Sequence, residues 1–199
     1  MMPLVPRILV FAGSIRAGAY SGRTADIAQK ELALQGAEVT RISLADYPLP
    51  IMDEDLEERD GVPENAVRLA RLIDMHDAVL IATPEYNGSM PPLLKNTIDW
   101  VSRVRSDGGR RLQPYAGKLV AICSSSDGHF AGIRSATHLR AVLSHIQMEV
   151  ISPQVSVPHG SEAFDDNGEF REERLRKGMQ RLCQTLVERA TMMSRRVEP

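Results

Sequence analysis

Three apolar runs restrict this chain more than anything else in it: residues 7–12 (RILVFA), 77–82 (DAVLIA) and 118–123 (KLVAIC). Each is too short for a helix of ordinary length. Each is rich in branched residues, and each gives way to a loop of small and polar residues. Continuous apolar runs of this length suit strands buried on both faces. Residues 38–44 (EVTRISL) alternate as a second strand, and residues 148–157, interrupted by Pro153, read as a fifth.

Helical spacing fills the gaps. Residues 24–34 place Ile27, Ala28 and Leu32 on one side and stop at Gly36. Residues 64–75 carry Val67, Ala70, Leu72 and Ile73. A helix opening on Pro92 runs to Val104, another spans 133–146, and a charged one spans 169–193. Residues 45–64 read as a long loop, of a length that is often functional or interfacial. Residues 105–114 read as a basic surface loop. Strands and helices alternate, which predicts a parallel sheet with helices on both faces. At 199 residues, with no repeat or linker, the expectation is one domain over 1–199.

The bulk numbers narrow the function. A net charge of −2 gives no general attraction to nucleic acid or an acidic membrane surface. No window is long and apolar enough for a membrane span, and the N-terminus lacks a signal-peptide pattern. The cytoplasm is the expected compartment. Cys123 and Cys183 have no metal or redox spacing, so no metal site is expected. Cys123 lies in an apolar run and reads as a buried small hydrophobe.

In an open parallel sheet, ligands bind beyond the C-terminal strand ends, where strand order reverses. Three loops qualify: AGSIRAGAYSGRT, TPEYNGSMPP and SSSDGHFAG. In the first, Gly13 allows a sharp turn. Ser14, Tyr20, Ser21 and Thr24 offer hydroxyls, Arg16 a guanidinium, and the next helix its free N–H groups. That is an anion site, most simply for phosphate. It is neither a P-loop, since Ala19 and Tyr20 stand where Lys and Ser/Thr belong, nor a G-x-G-x-x-G dinucleotide turn. In the second loop, Pro84 sets the direction, Gly88 removes a side chain, Tyr86 gives a flat face and Asn87 an amide edge. The third, with Ser126, Gly128 and Gly132, is similarly bare. A phosphate end and a flat polar ring describe a mononucleotide. Trp100 reads as packing or interface. His129 reads as a rim residue as readily as a proton donor, and His76 and His138 as surface or packing residues.

These loops carry a resemblance. PEYNGSMPPLLKNTIDW is similar to the PEYN-x-S-x-P-x-x-LKN-x-x-DW segment of the NAD(P)H-dependent FMN reductases, a flavodoxin-like group that includes bacterial quinone, chromate and azo-dye reductases. Residues 13–21 resemble that family's GS-x-R-x-GS-x-N loop, and residues 126–134 its SPG-x-x-GG-x-R segment. The resemblance implies a flavodoxin-like α/β three-layer sandwich with a five-stranded parallel sheet of order 2-1-3-4-5. It implies that Ser14, Arg16, Tyr20 and Ser21 bind the FMN phosphate. Pro84, Glu85, Tyr86, Asn87 and Gly88 would border the ribityl chain and ring, and Ser126 and Gly128 the ring's other edge. Four positions depart from the pattern: Ala19 for serine, Ser21 for asparagine, Asp127 for proline and Ala131 for glycine.

The implied reaction takes hydride from NADPH or NADH to FMN, then electrons to a quinone, free flavin, azo or metal-ion acceptor. No protein catalytic residue is implied, because the flavin carries the chemistry. The competing reading is a flavodoxin-type electron carrier, disfavoured by the near-neutral charge. The family implies a homodimer or homotetramer. Arg103, Arg105, Arg110 and Arg111 could meet the 2′-phosphate of NADPH, or simply form an exposed basic loop.

Overall fold

The computed structural model describes residues 5–194. The sheet strands are β1 (Arg7–Ala12), β2 (Glu38–Arg41), β3 (Ala78–Pro84), β6 (Leu119–Ser125) and β7 (Glu149–Val157), in the order β2-β1-β3-β6-β7 and parallel throughout. The minor strands β4 (Ser106–Asp107) and β5 (Arg110–Arg111) form a separate hairpin. The helices are α1 (Tyr20–Leu34), α2 (Glu54–Asp60), α3 (Glu64–Met75), α4 (Pro92–Arg103), α5 (Ile133–His145) and α6 (Glu173–Ser194).

Side-chain alternation along β1 explains the layers. Ile8 and Val10 join a core with α1 and α6, while Leu9 and Phe11 join a second core with α3, α4 and α5. Both faces of β3 and β6 are covered, which is why their sequences are continuously apolar. β7 is an edge strand. Its pairing with β6 is irregular between Val120 and Ile122, and Pro153, which has no N–H, sits in that irregularity. Arg140 stitches the place from outside, donating to the Ile151 carbonyl at 3.0 Å.

The structure revises several sequence boundaries. α1 starts at Tyr20, four residues before the periodic segment, so the first loop ends directly at a helix N-terminus. The stretch 45–64 contains α2 and ends at α3 rather than being one loop. The basic segment 105–114 folds back as the β4–β5 hairpin, pinned by Arg71 to Asp107 and by Arg110 to Asp74 at 2.7 Å. Asp74 closes α3 just before β3 begins, so this hairpin lies at the N-terminal end of the sheet. That placement removes Arg110 and Arg111 from any ligand at the opposite end of the same chain. Arg103 is paired with Glu57 at 2.7 Å.

Candidate functional site

A cleft of about 280 Å³ opens across the C-terminal ends of β1, β3 and β6. It is lined by Ser14, Arg16, Ala19, Tyr20, Ser21, Pro84, Glu85, Tyr86, Ser125, Ser126 and Asp127. All three candidate loops therefore meet. Larger hollows exist elsewhere, but they lie at the N-terminal ends of β6 and β7, lined by residues such as Gly117, Glu149 and Gln147.

The β1 loop is built around two constraints. The Gly13 N–H extends the ladder by donating to the Ala82 carbonyl at 2.8 Å. A Cβ on Gly13 would sit 3.1 Å from Leu94 Cδ2 and 3.3 Å from Pro84 Cδ, so this position keeps the loop against β3 and α4. Gly18, at φ +69°, supplies the left-handed turn into α1. Ala19 then caps α1 without a side-chain acceptor, and the first turn holds no acid. The N–H groups of Tyr20, Ser21 and Gly22 have no acceptor among the described residues. They form the positive end of a helix with nothing in place to neutralise it.

Arg16 makes no ion pair among the described residues, and its guanidinium stands 5.8 Å from the Tyr20 ring centroid. Ser21 Oγ is buried without a hydrogen-bond partner. So is Ser125 Oγ, across the cleft. An unpaired buried hydroxyl is costly, so these two atoms mark places where the fold leaves hydrogen-bonding capacity for something else. The Tyr20 ring is held by packing: a Cβ on Gly160 would fall 2.3 Å from Tyr20 Cδ2, so glycine there lets the ring lie against the chain.

The β3 loop is a wall and a turn. Glu85 accepts from Arg134 Nη1 at 2.6 Å and from the Arg134 backbone N–H at 3.2 Å, which ties the wall to α5. Tyr86 and Ser89 exchange backbone hydrogen bonds at 2.9 and 3.0 Å around Asn87 (φ 50°) and Gly88 (φ 78°). This is a two-residue turn with both central residues left-handed, which Asn-Gly supplies. A Cβ on Gly88 would meet only Arg134 Cδ at 3.7 Å, so its glycine serves the turn rather than a close approach. Asn87, Gly88, Gly128, Gly132 and Thr24 do not line the cleft, Thr24 Oγ1 donating instead to the Tyr20 carbonyl at 2.8 Å, while Ser14, Arg16, Tyr20, Ser21, Pro84, Glu85, Tyr86 and Ser126 do. His138, read from sequence as a surface or packing residue, meets Ser89 Oγ at 3.0 Å.

The β6 loop completes the site. Ser124 Oγ donates to the Ala131 carbonyl at 2.8 Å, and Ser135 Oγ donates to the Pro84 carbonyl at 2.8 Å, so α5 is fastened to both β6 and β3. Gly132 is left-handed, and a Cβ there would press on Ser124 Cβ and on Ser125 N and O at 3.2–3.3 Å. Ala131 also takes positive φ, at 55°. Asp127 Oδ1 accepts from both the N–H (2.9 Å) and the hydroxyl (2.7 Å) of Ser161, and these bonds hold its carboxyl below the usual carboxylate range.

Ser125 was missed by sequence reasoning because it reads as one of three serines opening a small-residue loop after a strand that ends at Cys123; β6 runs on to Ser125, and its register opposite Pro84 gives its place. Burial pushes the Cys123 thiol up to about 12, which fits a core residue and not a nucleophile. Trp100 is fully buried under the second core layer and is a packing residue.

The chain matches the family model described as NADPH-dependent FMN reductase over residues 6–162. It is 34% identical over 182 residues to an NAD(P)H-dependent FMN reductase of Pseudomonas aeruginosa, covering 90% of this chain and 92% of that one. It is 39% identical over 147 residues to a quinone reductase of Escherichia coli K12, covering 73% of each. Among solved structures it is similar to a flavoenzyme NAD(P)H:(acceptor) oxidoreductase of Paracoccus denitrificans, with a TM-score of 0.78 and 28% identity over 94% of this chain and 98% of that one.

Proposed function

The chain belongs to the NADPH-dependent FMN reductase family, and from that membership we propose how its cleft serves the activity. It is an NAD(P)H-dependent FMN and quinone reductase with a flavodoxin-like α/β fold, here read as a single FMN-binding domain. The single observation that carries the site assignment is the unfilled polar set at the start of α1: free Arg16, unpartnered Ser21 Oγ and three open N–H groups.

That set fits the phosphate of FMN. Arg16 supplies a full positive charge, Ser14 and Ser21 supply hydroxyls, and the helix end supplies N–H donors. Pro84, Glu85 and Tyr86 form one wall for the ribityl chain and ring, and Ser125 and Ser126 the other. Glu85 is neutralised by Arg134, so it shapes the wall without adding net charge. Bound FMN supplies the ring that takes hydride from reduced nicotinamide and returns electrons to an acceptor. The protein's part is to fix that ring against rigid strand ends, leaving Tyr86, 47% exposed, at the mouth where flat partners enter. Asn87 and Gly88 act one step away, as the turn that aims Tyr86.

Quinones are the acceptor class this reading favours. A homodimer or homotetramer is part of the same reading, supported by exposed apolar side chains at the cleft end, Phe130 and Ile133 among them. Two buried free thiols suit a cytoplasmic setting, and no described helix is long and apolar enough to cross a membrane.

The test is spectroscopic. The purified chain should bind FMN, lose its flavin absorbance under anaerobic NADPH or NADH, and recover it on adding a quinone. Arg16→Gln and Ser21→Ala should each weaken FMN binding. Flavin reduced only by another protein, with no response to either nicotinamide, would overturn the reductase reading in favour of an electron carrier.

A further inference from the structure

We propose that Asp127 lowers the reduction potential of the flavin held in this cleft, and so biases the enzyme toward giving electrons up. The inference rests on the reading above, in which the flavin ring lies against the β6 loop.

Two carboxylates line the cleft, and they differ in kind. Glu85 is compensated: its two oxygens meet the guanidinium and the backbone N–H of Arg134. Asp127 has no cationic nitrogen within 4.0 Å among the described residues. Its Oδ1 takes both Ser161 donors, and its Oδ2 has no donor among the described residues. Two hydrogen bonds on one oxygen fix where the charge sits and favour the ionised form. Asp127 is therefore an oriented negative charge at the exposed rim of a wall that otherwise presents hydroxyls, with the His159 ring as the one further group that favours its ionised form. Among the described residues, the cation that lines the same cleft is Arg16, in the β1 loop. β1 and β6 are separated by β3, so their loop bases stand about two strand spacings, ~10 Å, apart.

A flavin ring gains negative charge when it is reduced, and a fixed anion beside it opposes that gain. The oxidised ring is neutral and feels Asp127 much less. The cleft should then hold oxidised FMN more tightly, relative to reduced FMN, than it would without the charge. A ring of lower potential is harder to reduce with nicotinamide and readier to reduce an acceptor.

The experiment measures FMN affinity and the midpoint potential of the FMN-loaded full chain for wild type, Asp127→Asn, Ser161→Ala and Arg16→Gln. Asparagine keeps an oxygen for Ser161 but loses the charge. Alanine at 161 keeps the charge but loses the hydroxyl contact. Asp127→Asn should improve the affinity for reduced over oxidised FMN about tenfold, raising the two-electron potential by about 30 mV. Ser161→Ala should move it by well under half of that. The proposal falls if Asp127→Asn leaves the potential unchanged while Arg16→Gln weakens FMN binding, because the site reading then survives without it. It also falls if Ser161→Ala matches Asp127→Asn, since loop position rather than charge would be responsible. Unaltered FMN affinity in Arg16→Gln would remove the site reading itself, and the proposal with it.

Discussion

Trp100 Nε1 donates a 2.8 Å hydrogen bond to the carbonyl of Pro50, fifty residues earlier in the chain. Asn96, one helical turn before, donates to the same carbonyl at 2.8 Å and accepts from the Met52 N–H at 2.7 Å. The helical half of the PEYN…DW segment is thus a bracket that holds the chain after β2 against α4.

Asn96→Ala breaks that bracket at two points and leaves the Met52 N–H without its acceptor. It should lower stability by about 1–3 kcal/mol, the range for losing such bonds at a partly buried site. Urea unfolding followed through Trp100, the only tryptophan, measures it. Limited proteolysis should show new cleavage between Pro48 and Asp53.

Ser21→Ala and Ser125→Ala each delete a buried hydroxyl with no protein partner. Without FMN, both variants should be as stable as the parent or up to about 1 kcal/mol more stable. With FMN, each should bind about tenfold more weakly, equivalent to about 1.4 kcal/mol. Thermal melts of apo and FMN-loaded protein should therefore move in opposite directions. A hydroxyl with a purely structural role would lower both.

Ala131 and Gly132 make opposite predictions from the same backbone. Ala131 holds φ 55°, a region that costs an ordinary residue about 1–2 kcal/mol, so Ala131→Gly should stabilise by a fraction of that after the entropy of the freer chain is counted. Gly132→Ala adds a Cβ at φ +75° against Ser124 and Ser125. It should cost at least about 1–2 kcal/mol and displace Ser125, so FMN titration should show weaker binding as well.

His76 gives the pH dependence. Its ring meets the Leu72 carbonyl and Thr40 Oγ1, and burial lowers its pKa from the ordinary 6.5. The folded protein thus holds fewer protons than the unfolded chain between the two values. Stability should fall as pH drops through 6.5 and level off below the folded value. His76→Gln should flatten that part of the curve, measured as urea midpoints at about pH 7.5 and 5.5, a range spanning the histidine value.

The layers were readable because Leu80, Val120 and their neighbours lie in runs that only a doubly covered strand accommodates. Loop positions followed from those strands. What stayed hidden has short or distant causes. The β4–β5 hairpin has two residues per strand, below any detectable alternation. The Asn96–Met52 and Trp100–Pro50 bonds join segments more than forty residues apart, and nothing local signals them. At the site, Arg16 and Ser21 were legible because a strand end and a helix start converge on them. Glu85 could be placed on the wall, but its neutralisation by Arg134 depends on how α5 docks.

The cleft draws on residues 14–21, 84–86 and 125–127, three segments that no continuous stretch of chain holds together. A cofactor bound there acts as a removable cross-link between β1, β3 and β6. Because it favours only the folded chain, FMN at a hundredfold over its dissociation constant adds about 2.7 kcal/mol of stability. Flavin supply then governs how long each molecule survives as well as how fast it works. In a cell short of riboflavin the apo chain would open about a hundredfold more often, and proteases that cut the open form would lower its level.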